Sequence, residues 1–237
     1  MSQELIILTI TAVSVGFFHT LFGPDHYLPF VVMAKARKWS LIKTSCITFL
    51  CGVGHIGSSV LLGMIGVALG IAVTKLEFIE SFRGNLAAWA LIAFGLVYLV
   101  WGLRRVFKKQ QHGRFLAYKD EVNQDSESIN MEEHPYVNEK KGTMSITPWI
   151  LFTIFVLGPC EPLIPILMYP AAKNSIFGLV WVTAVFGGVT ILTMLGIVII
   201  STLGISLIPV KQIEKYTHAL AGGSICLCGM AIQFLGL

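Results

Sequence analysis

The residues His19-Thr20-Leu21-Phe22-Gly23-Pro24-Asp25-His26 place an acid and two imidazoles inside the first long apolar segment of the chain. A carboxylate at membrane depth costs at least a few kcal/mol, so it is usually present for a functional reason. Because Pro24 has no backbone N–H to donate, it predicts a break in the helix. Gly158-Pro159-Cys160-Glu161-Pro162 repeats the Gly-Pro pair 135 residues later, again with polar groups. Two such breaks at matched positions predict a binding site at the centre of a bilayer.

The composition around these breaks is that of an all-α integral membrane protein. Of the 237 residues, 55% are hydrophobic and only 13% are charged, whereas soluble domains have about 25% charged residues. A membrane-spanning helix needs roughly 20 apolar residues. Six segments meet this requirement and predict six transmembrane helices, with the first and fourth broken by proline, near residues 5–33, 44–73, 85–103, 148–172, 174–205 and 216–237.

Basic residues predict how these six helices cross the membrane. The turns after helices one, three and five would hold 14 of the 17 Lys and Arg residues, leaving Lys75, Arg83 and Lys173 on the other side. The positive-inside rule then puts both termini outside a cell (inner) membrane and the segment 104–147 in the cytoplasm. The first helix has no basic residues before it and is expected to be retained rather than cleaved. This topology accounts for the net charge of +4 without a nucleic-acid partner.

The two halves of the chain are related in sequence. At an offset of 135, residues 23–56 align with 158–191 and ten of the 34 positions are identical. Each half would contain three spans, and an odd number of spans inverts the second half relative to the first. The predicted organisation is therefore two inverted three-helix repeats, residues 1–103 and 148–237. Between them, 104–147 reads as a short interfacial helix followed by a charged linker.

Metal-capable side chains concentrate near the two breaks and the middle of the second span. On the predicted spans His19, His55 and Cys160 lie at similar depth. Asp25, His26 and Glu161 lie within about two helical turns, or roughly 10 Å, of that level. Imidazole, thiolate and carboxylate together suit nickel, cobalt or zinc better than magnesium or calcium. The sequence therefore predicts a site for a transported divalent transition metal, with no permanently bound cofactor.

Single residues of this set also have structural interpretations. His19 or His55 alone could be a packed helix residue that bonds to a neighbouring helix. Asp25 could cap a half-helix that begins after Pro24, and Glu161 could be structural beside Pro162. The concentration of six such residues around two matched breaks favours a site over six separate structural roles.

The same residues carry a family resemblance. His19 with Asp25-His26, Gly54-His55 with Ser58 close behind, and Leu157-Gly158 with a following acid resemble successive signatures of the nickel/cobalt permease family. The chain is most similar to that family's six-helix relatives, which are grouped with urease-accessory and sulfite-exporter-like permeases. In the family, the first motif is implicated in metal recognition. The resemblance implies that role for His19, Asp25 and His26, and for His55 through the Gly-His motif.

This chain departs from the family pattern at two places. The family's first motif has four residues between His and Asp, whereas Thr20 to Pro24 make five here, which would displace His19 by a helical step of about 100°. The family's later signature carries an Asp and a Thr-rich run, which Pro159-Cys160-Glu161-Pro162 replaces here. That replacement resembles the thiol–disulfide electron carriers of cytochrome c maturation. The resemblance covers both halves but not the linker.

The leading functional hypothesis is a secondary transporter of divalent transition-metal ions, nickel or cobalt first, and not an enzyme. Its partners would be the metal ion and the lipid bilayer, and a homo-oligomer is compatible with the sequence. The alternative is a transmembrane thiol–disulfide electron carrier, an oxidoreductase that uses Cys160 and a thioredoxin-like partner. Its expected thiol pair is absent, because the twin of Cys160 is Asp25. An anion exporter ranks third, since no Lys or Arg lies deep in any predicted span, and an intramembrane enzyme has only a Cys160–His pair to draw on.

Overall fold

The computed structural model describes residues 3–71, 73–123, 146–172, 175–207 and 214–235, and these ranges are all-helical. A short 3₁₀ turn, Pro24–His26, separates the first two α-helices, and a second one, Glu214–Tyr216, precedes the last. In the described residues the α-helices are α1 (Gln3–Phe22), α2 (Leu28–Arg37), α3 (Leu41–Ala68), α4 (Val73–Asn123), α5 (Thr147–Leu157), α6 (Leu163–Ala172), α7 (Ile176–Leu207) and α8 (Thr217–Leu235).

The chain is a multi-pass helical membrane protein. Five helices in the described ranges are long and apolar enough to cross a bilayer: α1, α3, α4 over Val73–Lys108, α7 over Ile176–Ile205, and α8. Their outer faces are apolar, and Ile42 is 78% exposed and Ile200 72% exposed. Such faces suit lipid rather than water.

The segment predicted as the fourth span consists of two short helices. α5 has 11 residues and α6 has 10, so neither alone reaches the roughly 20 residues that a bilayer requires. The break between them falls at Gly158-Pro159, and the break after α1 falls at Gly23-Pro24. The predicted proline breaks are therefore confirmed.

α4 differs from the prediction at both of its ends. It begins at Val73, not near residue 85, and continues through Arg104 to Asn123 as one helix of 51 residues, which is about 76 Å long. The helix predicted after residue 104 is present as a continuation of α4, because the Arg, Lys and Gln residues after Trp101 are good helix formers and no proline interrupts them. The remainder of the predicted linker, 124–145, lies outside the described residues.

Helix packing brings the two breaks together. α1 packs on α7, α5 packs on α3, α3 packs on α7, and α4 packs along α8. The α4–α8 contact is close because glycines meet: a Cβ atom on Gly222 would lie 2.7 Å from the carbonyl oxygen of Gly95. Side chains from the break after α1, from the middle of α3 and from the end of α5 consequently face one another.

Candidate metal site

Three histidines from two parts of the chain form one buried cluster. His19 lies in the last turn of α1, His26 ends the 3₁₀ turn, and His55 lies in the middle of α3. The ring centroids of His19 and His26 are 4.7 Å apart, and those of His26 and His55 are 5.1 Å apart. One ring nitrogen from each residue lies within 4.8 Å of the other two. The three imidazoles are therefore close enough for a single ion to bind all of them.

Hydrogen bonds to Nδ1 leave Nε2 free in the rings of His26 and His55. The Nδ1 atom of His26 lies 3.0 Å from Asp25 Oδ1 and 3.2 Å from the Gly23 carbonyl oxygen. The Nδ1 atom of His55 lies 3.3 Å from the Phe155 carbonyl oxygen. Since acceptors face these two Nδ1 atoms, Nδ1 carries the proton and Nε2 offers its lone pair. The Nε2 atoms of His19, His26 and His55 are all buried and have no hydrogen-bond partner within the described ranges.

A buried polar atom without a partner is unusual in a folded protein, and three in one cluster indicate a ligand. Tetrahedral coordination with metal–nitrogen bonds of about 2.0–2.1 Å would bring the nitrogens to roughly 3.3 Å from one another. Starting from separations within 4.8 Å, the side chains would need to move by no more than about 1.5 Å. The cluster is thus nearly preformed.

The backbone path after α1 explains why His19 belongs to the cluster. The Gly23 N–H donates to the His19 carbonyl oxygen at 3.0 Å, and Gly23 then turns to an extended conformation with φ −86° and ψ 94°. The 3₁₀ turn that follows folds His26 back onto His19. The predicted displacement of His19 by one helical step assumed that the helix continues to Asp25. Because α1 ends at Phe22 and a 3₁₀ turn follows, this displacement does not occur.

A cavity of about 760 Å³ adjoins the three histidines. Its walls come from α1, α4, α8 and the break after α5, and its polar lining consists of Ser14, Asp25, Ser81, Asn85, Glu161 and Gln233. The Oε1 atom of Gln233 is buried and unpartnered among the described residues. A hydrated ion would therefore meet carboxylates, amides and hydroxyls before it reached the imidazoles.

Asp25 stands behind His26 and is not one of the three converging groups. Its Oδ1 atom accepts from Nδ1 of His26, and its side chain is 34% exposed. A carboxylate in this position fixes the orientation of the ring and makes Nε2 a better donor to a metal. The structure thus gives Asp25 a supporting position in the predicted site.

Cys160 and Glu161 have different surroundings, and neither side chain is one of the converging groups. Cys160 is fully buried in an apolar cluster with Ile56, Leu163 and Phe186, whereas Glu161 is exposed and lines the cavity. The sequence repeat predicted that both side chains would lie beside the histidines. In the structure the Cys160 side chain points into the apolar cluster and the Glu161 side chain points into the cavity. All five cysteines are free thiols.

Cys160→Ala is expected to leave Co²⁺ affinity within about threefold of wild type, because the thiol lies in the apolar cluster and not among the imidazoles. Titration of the purified variant with Co²⁺, followed by visible absorption, measures this affinity. A loss of more than about tenfold would place the thiol in the metal site.

A buried ion pair that was not predicted from the sequence lies next to the site. Glu80 is fully buried and pairs with Arg83 one turn later on α4. Arg83 was predicted to lie in an outer turn, and no Arg or Lys was expected deep in a span. Arg83 lies within α4 rather than in a turn, and it contacts the end of α5. The only sequence signal was the i, i+3 spacing of the two charges.

Comparison with protein families, with curated proteins and with solved structures finds no match for this chain. The fold and the site therefore define the protein by themselves, as a multi-pass helical membrane protein with a candidate three-histidine metal centre at its helix breaks.

Proposed function

We propose that this protein is a secondary transporter of divalent transition-metal ions, nickel or cobalt first. The observation that carries the proposal is the set of three buried Nε2 atoms without partners, in rings that lie within metal-binding distance of one another. Structural histidines in a membrane normally bond to a neighbouring helix. Here only Nδ1 of His55 bonds to a neighbouring helix, Nδ1 of His26 bonds within its own turn, and Nε2 stays without a partner in all three residues within the described ranges.

The ligand chemistry favours first-row transition metals. Three neutral imidazoles suit nickel, cobalt, copper and zinc, whereas magnesium and calcium prefer oxygen ligands. Three protein ligands also leave coordination positions open, which is how exchangeable metal sites differ from closed structural ones. Asp25 and Glu161 on the cavity wall would offset part of the charge of an entering dication.

The helix contacts support two inverted repeats of three spans each, in which α1–α2 and α5–α6 are the broken first spans. In such a repeat each helix of the first half has a counterpart in the second: α1 corresponds to α5, α2 to α6, α3 to α7 and α4 to α8. The contact of α1 with α7 then corresponds to that of α5 with α3, and the contact of α2 with α8 to that of α6 with α4. In this arrangement the metal site lies at the repeat interface, where transporters of this architecture bind their substrates.

Reconstituted vesicles provide the test of transport. We expect purified protein in liposomes to carry Ni²⁺ or Co²⁺ across the membrane, read by a trapped metal-sensitive dye, and to discriminate against Mg²⁺ and Ca²⁺. Protein-free liposomes and the variant His26→Ala are the controls. If the wild-type protein neither binds nor moves any of the transition metals, the proposal is wrong.

Asp25→Asn is expected to lower Co²⁺ affinity by about 10- to 100-fold, the usual effect of removing an outer partner of a metal-binding histidine. An amide can still accept from Nδ1 of His26 but carries no charge to increase the basicity of the ring. Glu77→Gln is the matched control, since it makes the same acid-to-amide change at an exposed side chain that does not line the cavity. Equal affinities for Asp25→Asn and wild type would remove Asp25 from the site.

A further inference from the structure

The buried Glu80–Arg83 pair reaches backbone groups on both sides of the second helix break. Arg83 Nη2 donates to the Val156 carbonyl oxygen at 2.8 Å, at the end of α5. Glu80 Oε2 accepts from the Cys160 N–H at 3.2 Å, just after Pro159. Ser59 from α3 adds to the same point, because its Oγ bonds to both the Cys160 N–H, at 3.1 Å, and Glu80 Oε2, at 3.1 Å.

The two backbone groups held in this way are the partners that an unbroken helix would join. In an α-helix the N–H of residue i donates to the carbonyl of residue i−4, which pairs Cys160 with Val156. The break separates them, and the ion pair takes their place: arginine supplies the donor for the carbonyl and glutamate supplies the acceptor for the N–H. Without the pair, the Val156 carbonyl would lose this donor, and the Cys160 N–H would keep only Ser59 Oγ as an acceptor.

The same network leads to a histidine of the metal site. Arg83 Nη2 also donates to Ser58 Oγ at 2.7 Å, and Ser58 Oγ donates to the His55 carbonyl oxygen at 2.8 Å. At the end of α5, the Phe155 carbonyl, next to Val156, faces Nδ1 of His55. Arg83 thus contacts both the helix that carries His55 and the helix end that orients its ring.

We propose that Glu80 and Arg83 are positioning residues that hold the second helix break open and fix His55 for metal binding. The proposal rests on the metal site described above as the proposed function, but the role at the break does not depend on which ion is carried. Two opposite charges suit this position because the guanidinium donates to a backbone carbonyl and the carboxylate accepts from a backbone N–H. Together they also leave no net charge in the membrane.

The first break has a different arrangement. The Leu21 carbonyl, which corresponds to Val156 in the other half, accepts from the hydroxyl of Tyr27 at 3.4 Å, within the same segment. At the start of α8, which takes the place of α4 in the other half, His218 bonds to Tyr98 and Arg105. The pair therefore fixes one half of the site to α3 and α4, while the first break depends on local contacts.

Two readouts test the role of the pair. The first is the rate at which a maleimide labels Cys160 in the intact wild-type chain, measured at that peptide by mass spectrometry. Cys160 is fully buried and its N–H is bound by the pair. The second is Co²⁺ affinity. In Glu80→Gln and Arg83→Lys we expect labelling of Cys160 to rise by about tenfold or more and Co²⁺ affinity to fall by about 10- to 100-fold.

Arg83→Lys separates positioning from stability. Lysine keeps a positive charge beside Glu80, but its single ammonium cannot reproduce the planar fork that reaches Val156, Ser58 and Glu80 together. We expect this variant to stay folded, with a melting temperature close to wild type, and yet to show both effects. The control is Glu77→Gln, an exposed acid one turn earlier on the same helix, which should leave both readouts unchanged.

The outcomes distinguish the two proposals. If labelling and Co²⁺ affinity in Arg83→Lys equal those of wild type, the pair has no positioning role, whatever the stability of Glu80→Gln. If the wild-type protein binds no Co²⁺, the proposed function fails, and the labelling of Cys160 alone decides whether the pair holds the break.

Discussion

Co²⁺ binding and transport should be lost when His26 is replaced by alanine. His26 is the middle ring of the cluster, with its centroid 4.7 Å from that of His19 and 5.1 Å from that of His55. Its removal leaves two imidazoles without the group that joins them. Loss of an outer partner of a ligand already costs about 10- to 100-fold in metal affinity, so loss of the ligand itself should exceed about 100-fold.

The matched control for this variant is His218→Ala. His218 also lies in a membrane-embedded helix, but its ring nitrogens are engaged, with Nδ1 2.8 Å from the hydroxyl of Tyr98 and Nε2 3.2 Å from Arg105. This variant should keep wild-type Co²⁺ affinity. Isothermal titration in detergent, with size-exclusion chromatography to establish that both variants are folded, gives the comparison. A folded His26→Ala protein with wild-type affinity would eliminate the three-histidine site.

The spectrum of bound Co²⁺ adds an independent check on the ligands. Co²⁺ held by three imidazoles in a low-coordinate site should give intense visible absorption, and the loss of one nitrogen should weaken it. Because the adjoining cavity has a volume of about 760 Å³, free imidazole fits into the space that alanine leaves. Added imidazole should therefore restore part of the spectrum in His26→Ala but have no such effect in Asp25→Asn.

Local chemistry explains why the breaks and the histidines could be predicted. A proline inside an apolar segment interrupts the helix wherever the chain folds, because its missing N–H is a property of the residue. Buried imidazoles and acids are costly in a membrane for an equally local reason. The positions of Pro24 and Pro159, and of His26 beside the first of them, follow from the sequence alone.

The path of the backbone after a break could not be predicted in the same way. The five residues between His19 and Asp25 suggested that His19 would turn away from the site. The extended Gly23 and the 3₁₀ turn instead bring His26 back onto His19. The spacing of residues along a regular α-helix cannot predict this path. The same holds for Cys160. It corresponds to Asp25 in the sequence repeat, but that correspondence did not predict that its side chain would point into an apolar cluster.

The Glu80–Arg83 pair was missed because its partners are distant backbone groups. Arg83 and the Val156 carbonyl are 73 residues apart in sequence, and Glu80 and the Cys160 N–H are 80 apart. No sequence pattern links a side chain to a backbone group at such a distance. Charges just before a predicted span therefore suggested a turn. Here they lie within α4, which begins at Val73 rather than near residue 85, and they bond to the break.

Gly23→Ala should be the most damaging change that leaves every ligand in place. A Cβ atom on Gly23 would lie 2.6 Å from Nδ1 of His26 and 2.9 Å from Oδ1 of Asp25. These distances are too short for nonbonded contacts, so the bond between the two side chains must break or the turn must move. Either change redirects Nε2 of His26, and we expect Co²⁺ affinity to fall by more than about tenfold, as when an outer partner is removed.

Two other glycines complete the series. A Cβ atom on Gly158, the twin of Gly23, would lie 3.3 Å from Nδ1 of His55, so Gly158→Ala should weaken binding less. Gly57 follows His55 by two residues on α3 and has open space around its Cβ position, so Gly57→Ala should bind Co²⁺ like wild type. Titration of the three variants with Co²⁺ under one set of conditions should therefore show the largest loss of affinity in Gly23→Ala, a smaller loss in Gly158→Ala and none in Gly57→Ala. A Cβ atom at Gly23 or Gly158 would approach a histidine Nδ1, whereas one at Gly57 would not. Equal Co²⁺ affinity in all three variants would therefore mean that the Nδ1 contacts do not orient the histidines.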